Sequence, residues 1–452
     1  MNRALQIAIL AAGEGKRMHS ALPKVLHLLG GKPLLAHVLE TARRLEPGSI
    51  CVVYRDDEVR RRFAEDSLVW ARQDPPRGTG DALRYALAAM PGGEITLVIY
   101  GADPMARAAT LQQVVDQAKR GALSLLTADF DDPSGYGRIV RDGAGRVTGI
   151  VEQKDASPAQ RAIREINTGV MAAPTDKLRG WLECLDPRNA SGEYYLTDVA
   201  ALAVRDEVAI ATTRVGAIEA MGVNSMRELA ELERRYQRLQ ADALLDAGVV
   251  LADPARIDLR GTLECGRDVT IDINCIFEGR VTLGDGARIG AHCLIKDTTI
   301  GTGTAIAPFS HLEDAQIGAR CRVGPFARIR PGTALADEVH IGNFVEVKAS
   351  TFGARSKANH LSYVGDSVLG RDVNLGAGTI TCNYDGAAKH RTVIEDDVHV
   401  GSDTQLVAPV TIGRGATIGA GTTVWKDVPP EALVVNEKTQ VARSGWTRPR
   451  KG

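Results

Sequence analysis

Length, composition and charge limit what this chain can be. It has 452 residues, more than one hydrophobic core normally supports, so two or three domains are expected. The 55 Lys and Arg residues almost balance the 56 Asp and Glu residues, whereas proteins that bind nucleic acid or membrane surfaces usually have a basic excess. Seven scattered cysteines without a CxxC pair, and no apolar run long enough to span a bilayer, predict a soluble cytoplasmic protein. Small molecules are the expected partners, with no nucleic acid and no membrane.

The first part of the chain alternates short apolar segments with amphipathic ones. Apolar runs at 5–10, 50–54, 95–100 and 122–128 predict buried strands, and the segments between them have helical spacing. Strand–helix alternation is typical of a mostly parallel, doubly wound sheet. Residues 1–224 therefore predict an α/β Rossmann-like domain.

A glycine-rich turn follows the first predicted strand. The string LAAGEGKRM at 10–18 lacks the third glycine of a dinucleotide fingerprint and the GxxxxGK of a P-loop. Lys16, Arg17 and Lys24 follow closely. Backbone N–H groups with cations converging on them form a cradle for polyphosphate. A tight strand-to-helix turn without a ligand is the alternative interpretation.

The third predicted strand ends at Tyr100-Gly101, at the sheet edge where α/β proteins bind ligands. Ala102 and Asp103 come next. If Ala102 faces the site, strand alternation directs the Asp103 carboxylate away from it. A bend beyond the strand end would instead let Asp103 reach a metal. Both outcomes are open at this stage.

The periodicity changes after residue 224. Residues 225–248 predict one amphipathic helix that links two domains. In 249–452 aliphatic residues recur at every sixth position over two long stretches: Ile317, Val323, Ile329, Leu335, Ile341 and Val347, then Ile394, Val400, Leu406, Ile412, Ile418 and Val424. This period predicts a parallel β-helix, whereas a β-sandwich would alternate with a period of two.

The hexapeptide pattern slips at 351–363 and at 380–391. Insertions into a regular solenoid are commonly where it carries its function. We therefore expect the functional residues of the second domain in or near these two segments.

Together, the glycine-rich string and LPKVL at 22–26 resemble the nucleotide-sugar pyrophosphorylases. With the hexapeptide repeats, almost the whole chain resembles the bacterial bifunctional N-acetylglucosamine-1-phosphate uridylyltransferase/glucosamine-1-phosphate N-acetyltransferases. The resemblance implies a left-handed β-helix, a homotrimer, Mg²⁺, and acetyl-CoA and UTP as co-substrates. It also implies acetylation of glucosamine 1-phosphate followed by UMP transfer, which gives UDP-N-acetylglucosamine and pyrophosphate.

For the uridylyltransferase site the resemblance implies contacts to the nucleotide, the phosphates, the uracil, the sugar and the metal. The nucleotide contacts are Leu10, Ala11, Ala12, Gly13, Tyr100 and Gly101, and the phosphate contacts are Arg17 and Lys24. The uracil contacts are Gln73, Gly78 and Thr79, and the sugar contacts are Gly137, Glu152 and Asn167. The resemblance implies Asn224 as a metal ligand. Asp103 would be the second ligand only if it replaces the family's Asp.

Three departures from the family pattern cluster at this site. The family motif YGDVPL, whose Asp binds magnesium, has Ala102 in place of that Asp, VYGHGG is VYRDDE, and GTGHA is GTGDA with Asp81. The alternative to the bifunctional enzyme is therefore an acetyltransferase that carries a degenerate uridylyltransferase domain.

The acetyltransferase motifs match more closely. The resemblance implies His360 as the general base and Arg330, Lys348, Tyr363 and Asn374 as contacts of the sugar phosphate. Acetyl-CoA contacts would be Ala377, Asn383, Tyr384, Ser402, Ala420 and Lys438. Glu437 stands where the family has an Arg, which predicts weaker coenzyme A binding.

A different class of function is also conceivable for a β-helix trimer. Histidines from neighbouring subunits bind zinc in carbonic anhydrase-like lyases, and His340, His360, His390 and His399 make such a site a second hypothesis. The set of Arg330, Lys348 and Asn374 fits a sugar phosphate better.

Overall fold

A computed structural model describes residues 2–64, 67–90, 92–437 and 439–449. The chain forms two compact units, residues 1–236 and 237–452. The helix α8, Met226–Asp246, contains the point at which they divide.

The N-terminal unit is built on a nine-stranded sheet among the described residues. Seven strands lie in the order β11-β7-β10-β6-β1-β4-β5, parallel except for β10, and β8 and β9 form a hairpin beside β10. Its strands are β1 (Asn2–Leu10), β4 (Pro47–Tyr54), β5 (Val69–Arg72), β6 (Ile95–Tyr100), β7 (Leu123–Asp129), β8 (Gly137–Arg141), β9 (Val147–Val151), β10 (Glu165–Pro174) and β11 (Ile210–Val215), with a small hairpin of β2 (Leu28–Leu29) and β3 (Lys32–Pro33).

Helices cover both faces of this sheet. They are α1 (Leu34–Arg43), α2 (Asp57–Arg62), α3 (Thr79–Ala89), α4 (Ala108–Lys119), α5 (Pro158–Arg161), α6 (Thr175–Glu183) and α7 (Val199–Arg205), with 3₁₀ turns at Lys16–Met18, Lys24–Leu26 and Leu196–Asp198. Successive residues of the central strand β1 point to opposite faces, so Ile7 and Ile9 enter one apolar core and Ala8 and Leu10 the other. The predicted Rossmann-like α/β domain is confirmed.

The C-terminal unit is a parallel β-helix. One sheet runs along it through β12 (Val250–Leu251), β14 (Thr270–Ile271), β16 (Arg288–Ile289), β19 (Ala305–Ile306), β22 (Arg322–Val323), β25 (His340–Asn343), β28 (Lys357–His360), β31 (Asn374–Leu375), β34 (His399–Val400), β37 (Thr417–Ile418) and β39 (Leu433–Val434). The other faces hold β13 (Ile257–Cys265), β15 (Cys275–Leu283), β17 (Leu294–Lys296), β18 (Thr299–Ile300), β20 (His311–Glu313), β21 (Ala315–Ile317), β23 (Arg328–Ile329), β24 (Thr333–Leu335), β26 (Glu346–Lys348), β27 (Thr351–Phe352), β29 (Tyr363–Gly365), β30 (Ser367–Leu369), β32 (Ile380–Cys382), β33 (Thr392–Ile394), β35 (Gln405–Val407), β36 (Val410–Ile412) and β38 (Thr423–Val424).

The sixfold period produces this architecture. Val323 pairs with Ile341, three hexapeptides further on, so each coil stacks directly on the next. Every aliphatic residue of the two periodic stretches is buried in a single continuous core. The predicted β-helix of hexapeptide repeats is confirmed.

The second slip marks one enlarged coil. Asn374 pairs with His399 rather than with a residue three hexapeptides away. The extra length leaves the solenoid as a small excursion closed by an antiparallel bridge between Tyr384 and Lys389.

One corner of the β-helix carries an exposed aromatic ladder. His292, Phe309, Phe326 and Phe344 occupy the same corner of four successive coils, and neighbouring ring centroids lie 4.8, 5.0 and 5.2 Å apart. Each residue has a positive φ of 55° to 60°, a conformation that is unfavourable for aromatic side chains. The three Phe residues are nonetheless 47 to 56% exposed.

Candidate active sites

A cavity of about 640 Å³ opens at the carboxyl ends of β1 and β6 in the N-terminal unit. This is the sheet edge at which open α/β folds bind ligands. Twelve residues singled out from the sequence line it: Leu10, Ala11, Ala12, Gly13, Arg17, Lys24, Gln73, Gly78, Thr79, Tyr100, Asp103 and Asn224.

The glycine-rich turn forms one wall of the cavity. Gly15 has a φ of 60°, and a Cβ there would lie 3.0 Å from the Cβ of Lys24, so glycine lets the turn pack against the Lys24 segment. Lys16 lines the cavity but points its Nζ at Glu14, 2.6 Å away. Lys16, Arg17 and Lys24 thus all line the cavity, and Lys16 is the one that forms an ion pair with Glu14.

Lys24 is held inside the cavity by a neutral partner. Its Nζ donates to Asn224 Oδ1 at 3.0 Å. Burial lowers the pKa of Lys24, and the nearby Asp103 carboxylate opposes that shift. A desolvated ammonium group of this kind favours an anionic ligand that would restore its charge partner.

Asp103 faces the same cavity as Lys24. The chain leaves β6 at Tyr100 and turns, with the Asp103 N–H donating to the Tyr100 carbonyl at 3.3 Å. Strand alternation does not extend beyond that turn, so both Ala102 and Asp103 line the cavity. Of the two outcomes left open by the sequence, the carboxylate facing the site is the one observed, because the backbone turns after Tyr100 and does not continue as an extended strand. Its role as a metal ligand stays a prediction.

The Asp103 carboxylate lies beside the segment that carries Asn224. The Val223 N–H donates to the Ala102 carbonyl at 3.0 Å, and a Cβ on Gly222 would lie 2.3 Å from Asp103 Oδ1. Burial raises the pKa of Asp103 to about 7, although the positive charge of Lys24 works in the opposite direction. The site thus holds a carboxylate whose ionised form is disfavoured by burial.

These two oxygen-bearing residues fit a magnesium site. Mg²⁺ prefers hard oxygen ligands and is usually held by one or two carboxylates together with substrate phosphates. Asp103 supplies one carboxylate, Asn224 supplies an amide oxygen, and a cation would favour the ionised form of Asp103.

The start of α3 is held by the segment at 194–196. Gly80 N–H donates to the Tyr194 carbonyl at 2.8 Å, and the Leu196 N–H donates to Thr79 Oγ1 at 3.1 Å. Gly78 has a φ of 109°, and a Cβ there would lie 2.6 Å from the Tyr194 carbonyl oxygen. Only glycine allows this close approach.

The predicted sugar contacts lie close to one another. They are not among the residues that line the cavity, although their chain neighbours Tyr136 and Thr168 are. Gly137 pairs with Asn167 across β8 and β10, and a Cβ on Gly137 would lie 3.6 Å from Glu152 Oε1. Burial raises the pKa of Glu152, whereas a hydrogen bond from Thr197 at 2.9 Å works against the shift.

Gly101 does not reach the cavity. A Cβ at this position would lie 3.0 to 3.4 Å from Ala11, Val25 and Leu35. Glycine at this position therefore allows close packing against these side chains. Gly101 is not among the residues that line the cavity, and its contact to the nucleotide stays a prediction.

His360 lies on an edge of the β-helix, at the end of β28. Its Nδ1 is 3.0 Å from Asn343 Oδ1, the corresponding residue of the preceding coil. An amide oxygen only accepts hydrogen bonds, so this contact selects the tautomer with the proton on Nδ1 and leaves Nε2 as a base. Asn343 was not identified from the sequence, although its register with His360 follows from the repeat.

Small side chains continue the edge on which His360 lies. Backbone hydrogen bonds connect successive coils there, from Gly378 to His360, from Asp403 to Ala377 and from Gly421 to Ser402. Ala420 precedes Gly421 in the next coil. Ala377, Ser402 and Ala420 therefore follow His360 along this edge, one in each successive coil. Their small side chains leave room for an extended ligand.

Cations gather on the adjoining face. Arg330 follows β23, Lys348 ends β26, and the Arg330 N–H donates to the Val347 carbonyl at 2.8 Å. Glu346 lies 2.8 Å from Arg330, and Asp366 lies 3.7 Å from Lys348. These carboxylates are the ion-pair partners of the two cations.

Lys389 joins this face from the excursion of the enlarged coil. The neighbouring ammonium group of Lys348 lowers the pKa of Lys389. Two adjacent lysines favour an anion between them. Lys389 was not identified from the sequence, although it lies within the second slip at 380–391.

Tyr363 and Asn383 meet above Gly365. A Cβ on Gly365 would lie 2.5 Å from the Tyr363 hydroxyl and 2.8 Å from Asn383 Nδ2. Asn383 also donates to Asp366. Tyr384 is 62% exposed at the start of the excursion.

Asn374 is not brought to this face. It lies on the other sheet, in register with Lys357 and His399. A single chain therefore does not assemble all the predicted acetyltransferase residues in one place. Lys438 lies outside the described residues, and Glu437 is exposed.

The described part of the chain has no group of three or more His, Cys, Asp or Glu side chains arranged to hold a metal ion. The four histidines of the zinc hypothesis do not form such a cluster within it. His390 is instead 2.6 Å from Asp385.

Comparisons with protein families agree with this division of the chain. Residues 7–160 match the MobA-like NTP transferase domain, residues 259–352 match the GMPPB C-terminal domain, and residues 391–424 match the bacterial transferase hexapeptide. In the described residues, no helix has the length and apolar character needed to cross a membrane.

Full-length relatives are also found. The chain is 57% identical to a protein of Azoarcus sp. (strain BH72) over 98% of this chain and 99% of the relative. It is 58% identical to one of Nitrosospira multiformis, over 98% of each chain, and 57% identical to one of Paraburkholderia xenovorans, over 99% of each chain. Each of these relatives is named bifunctional protein GlmU.

Proposed function

The chain belongs to the bifunctional GlmU family, with N-acetyltransferase and uridylyltransferase activities, and we propose which of its residues carry each reaction. It acetylates glucosamine 1-phosphate with acetyl-CoA and transfers UMP from UTP to N-acetylglucosamine 1-phosphate. The products are UDP-N-acetylglucosamine and pyrophosphate. We assign uridylyl transfer to residues 1–224, a linking role to the helix over 225–248, and acetyl transfer to 249–452 with its C-terminal tail.

The glycine-rich cavity binds UTP in this proposal. Arg17 and Lys24 contact the phosphates, and the backbone of Leu10 to Gly13 contacts the nucleotide. The sugar phosphate attacks the α-phosphorus of UTP, and the bond from that phosphorus to the pyrophosphate oxygen breaks. Lys24 stabilises the negative charge that develops on the leaving group, because its desolvated ammonium group is already directed into the cavity.

We assign the magnesium site to Asp103 and Asn224. The supporting observation is that the Asp103 carboxylate shares the cavity with Asn224 although the family's Asp is replaced by Ala102. Mg²⁺, when bound, would neutralise charge on the phosphates. Asp103 would then be ionised, and Asn224 would exchange its hydrogen bond with Lys24 for the metal.

The other predicted site residues of the N-terminal unit orient the uracil of UTP and the sugar of the sugar phosphate. Gln73, Gly78 and Thr79 hold the uracil, and Tyr100 closes the cavity at the end of β6. Gly137, Glu152 and Asn167 hold the sugar, a role that their convergence across β8 and β10 supports.

In the acetyltransferase site His360 is the general base. Its Nε2 takes a proton from the glucosamine amine as the nitrogen attacks the thioester carbonyl carbon, and the carbon–sulfur bond to coenzyme A breaks. The support is the Asn343 contact, which in a neutral imidazole favours the tautomer with the proton on Nδ1 and leaves the Nε2 lone pair available. Asn343 is a positioning residue for this step.

Arg330, Lys348 and Lys389 bind the phosphate of the sugar phosphate, and Tyr363 lies beside them. Their convergence on one face, with two carboxylates that a phosphate would displace, supports this role. Acetyl-CoA lies along the edge formed by Ala377, Ser402 and Ala420, next to Asn383 and Tyr384. Lys438 contributes a charge toward coenzyme A, and Glu437 opposes it.

We propose that the protein is a homotrimer. Two observations support this oligomer: the exposed aromatic ladder, and the position of Asn374 on a different sheet from Lys348. A second chain would bring the two faces together. We also propose a cytoplasmic location, which seven unpaired cysteines favour.

Pyrophosphate release from UTP and N-acetylglucosamine 1-phosphate with Mg²⁺ tests the uridylyltransferase assignment. Wild type is expected to be active, Asp103→Ala to lose at least 100-fold in kcat as is typical of a lost electrostatic group, and Ala102→Asp to retain activity. Full activity of Asp103→Ala would refute the metal assignment. An inert wild type rescued by Ala102→Asp would instead identify an acetyltransferase with a degenerate first domain.

A further inference from the structure

Asp81 is a buried carboxylate in the first turn of α3. It is 2% exposed, and its Oδ2 accepts a hydrogen bond from Gln73 Nε2 at 2.9 Å. Its other oxygen lies 3.3 Å from the Arg77 guanidinium, which is half exposed. Burying a carboxylate costs stability unless such partners satisfy it. Asp81 contacts Gln73, which lines the cavity, so it can act on a ligand through Gln73.

The contacts of Gln73 determine which way its amide faces. Nε2 donates both to Asp81 Oδ2 and to the Gly78 carbonyl at 3.0 Å. A carboxylate and a carbonyl oxygen only accept, so the nitrogen must point toward them. The Gln73 backbone N–H donates to the Tyr54 carbonyl at 2.8 Å, which fixes the main chain as well. Oε1 is therefore the amide atom left for a ligand.

We propose that Asp81 is a positioning residue that holds the Gln73 amide in this orientation and thereby sets the base specificity of the uridylyltransferase site. The proposal rests on the proposed contact between Gln73 and the base. An amide oxygen directed at the base accepts from an N–H donor such as N3 of uracil. It faces a lone pair when the base is cytosine, whose N3 is an acceptor.

Asp81 adds to what Gly78 alone would provide. With Gly78 as the sole partner, a flipped amide would lose one hydrogen bond. With both acceptors present, a flipped amide places its oxygen against two further oxygens, so the alternative orientation is disfavoured twice. Discrimination between bases consequently depends on whether residue 81 offers only hydrogen-bond acceptors to Gln73.

The test compares UTP with CTP in pyrophosphate release at saturating N-acetylglucosamine 1-phosphate. Asp81→Asn retains the shape of the side chain but offers an amide that can also donate to a flipped Gln73. The KM for UTP is expected to rise about fivefold, the value for one neutral hydrogen bond, with kcat changed less than twofold. The ratio of kcat/KM for UTP over CTP is expected to fall about fivefold or more.

Two further variants separate positioning from a general structural role. Arg77→Gln removes the other partner of Asp81 while the Gln73 contact stays, so the UTP/CTP ratio is expected to remain that of wild type. In a Gln73→Ala background, Asp81→Asn is expected to leave the ratio unchanged, because Asp81 acts through Gln73. If Asp81→Asn does not fold, Asp81→Ser replaces it in both series.

An unchanged UTP/CTP ratio in Asp81→Asn would overturn the proposal, as would a further fall of the ratio in the Gln73→Ala background. If wild type releases no pyrophosphate from UTP, the proposed function of this unit fails. The Asp81 proposal is then decided by the dissociation constants of UTP and CTP, measured by calorimetry on the same variants. Binding of neither nucleotide would overturn both.

Discussion

Replacing Asp103 with Asn is expected to change how the stability of the N-terminal unit depends on pH. Burial raises the pKa of Asp103 from 3.8 to about 7 in the folded protein. Between these values the folded chain holds a proton that the unfolded chain has released, so this group contributes stability at low pH that is lost as pH rises through 7. The Asn side chain does not titrate and has no such dependence.

The magnitude follows from the shift. At pH 5 the group lies about two pH units below its folded pKa and above its unfolded one, and each unit corresponds to about 1.4 kcal/mol. By pH 8 the contribution has vanished. Relative to Asp103→Asn, wild type is therefore expected to lose about 3 kcal/mol of unfolding free energy between pH 5 and pH 8 in metal-free buffer.

Urea unfolding followed by tryptophan fluorescence measures this difference. Trp181 in the N-terminal unit is 1% exposed, whereas Trp425 and Trp446 in the other unit are 60% and 69% exposed, so the signal reports mainly on the N-terminal unit. Equal pH slopes for wild type and Asp103→Asn would refute the argument.

Glu165→Gln is the matched control for this measurement. Arg141, 2.7 Å from Glu165, holds the pKa of that carboxyl below its usual range. Glu165 is therefore ionised in the folded protein at both pH values. Its replacement is expected to destabilise the unit by nearly the same amount at pH 5 and pH 8.

Four further outcomes are expected. In an assay of coenzyme A release, His360→Ala is expected to lose at least 100-fold in kcat and Asn343→Ala about tenfold. The rate of pyrophosphate release is expected to be unchanged in both variants. An Asn343→Ala variant with wild-type kcat would contradict the tautomer argument. Glu437→Arg is expected to lower the KM for acetyl-CoA about twofold to fivefold, as for one exposed charge, and an unchanged KM would count against a coenzyme A contact there. Phe326→Glu is expected to dissociate the oligomer in sedimentation velocity, and an intact trimer would show that the aromatic ladder is not the subunit contact. The last outcome concerns proton release when Mg²⁺ binds together with UTP at pH 6, measured by calorimetry in buffers of different ionisation enthalpy. Wild type is expected to release nearly one proton more than Asp103→Asn, because most Asp103 is protonated before binding. Equal proton release would argue against Asp103 as a metal ligand.

The elements with strong periodicity were predictable from the sequence. The aliphatic residues spaced six apart, from Ile317 to Val347 and from Ile394 to Val424, are all buried in the β-helix core. The alternation of strands and helices likewise gives the Rossmann-like sheet, because buried parallel strands require continuous apolar runs.

The details of the sites were less predictable because they depend on local backbone geometry and on pairing between distant segments. The direction of Asp103 is set by a turn after Tyr100 and by the pairing of Ala102 with Val223, neither of which has a sequence signature. Asn343 and Lys389 become visible only when the coils are stacked in register.

Formation of UDP-N-acetylglucosamine by one preparation tests the central claim most directly. The purified protein is incubated with glucosamine 1-phosphate, acetyl-CoA, UTP and Mg²⁺, and the products are separated by chromatography. If both sites are active, we expect UDP-N-acetylglucosamine together with equal amounts of coenzyme A and pyrophosphate. Accumulation of N-acetylglucosamine 1-phosphate without any nucleotide sugar would contradict it.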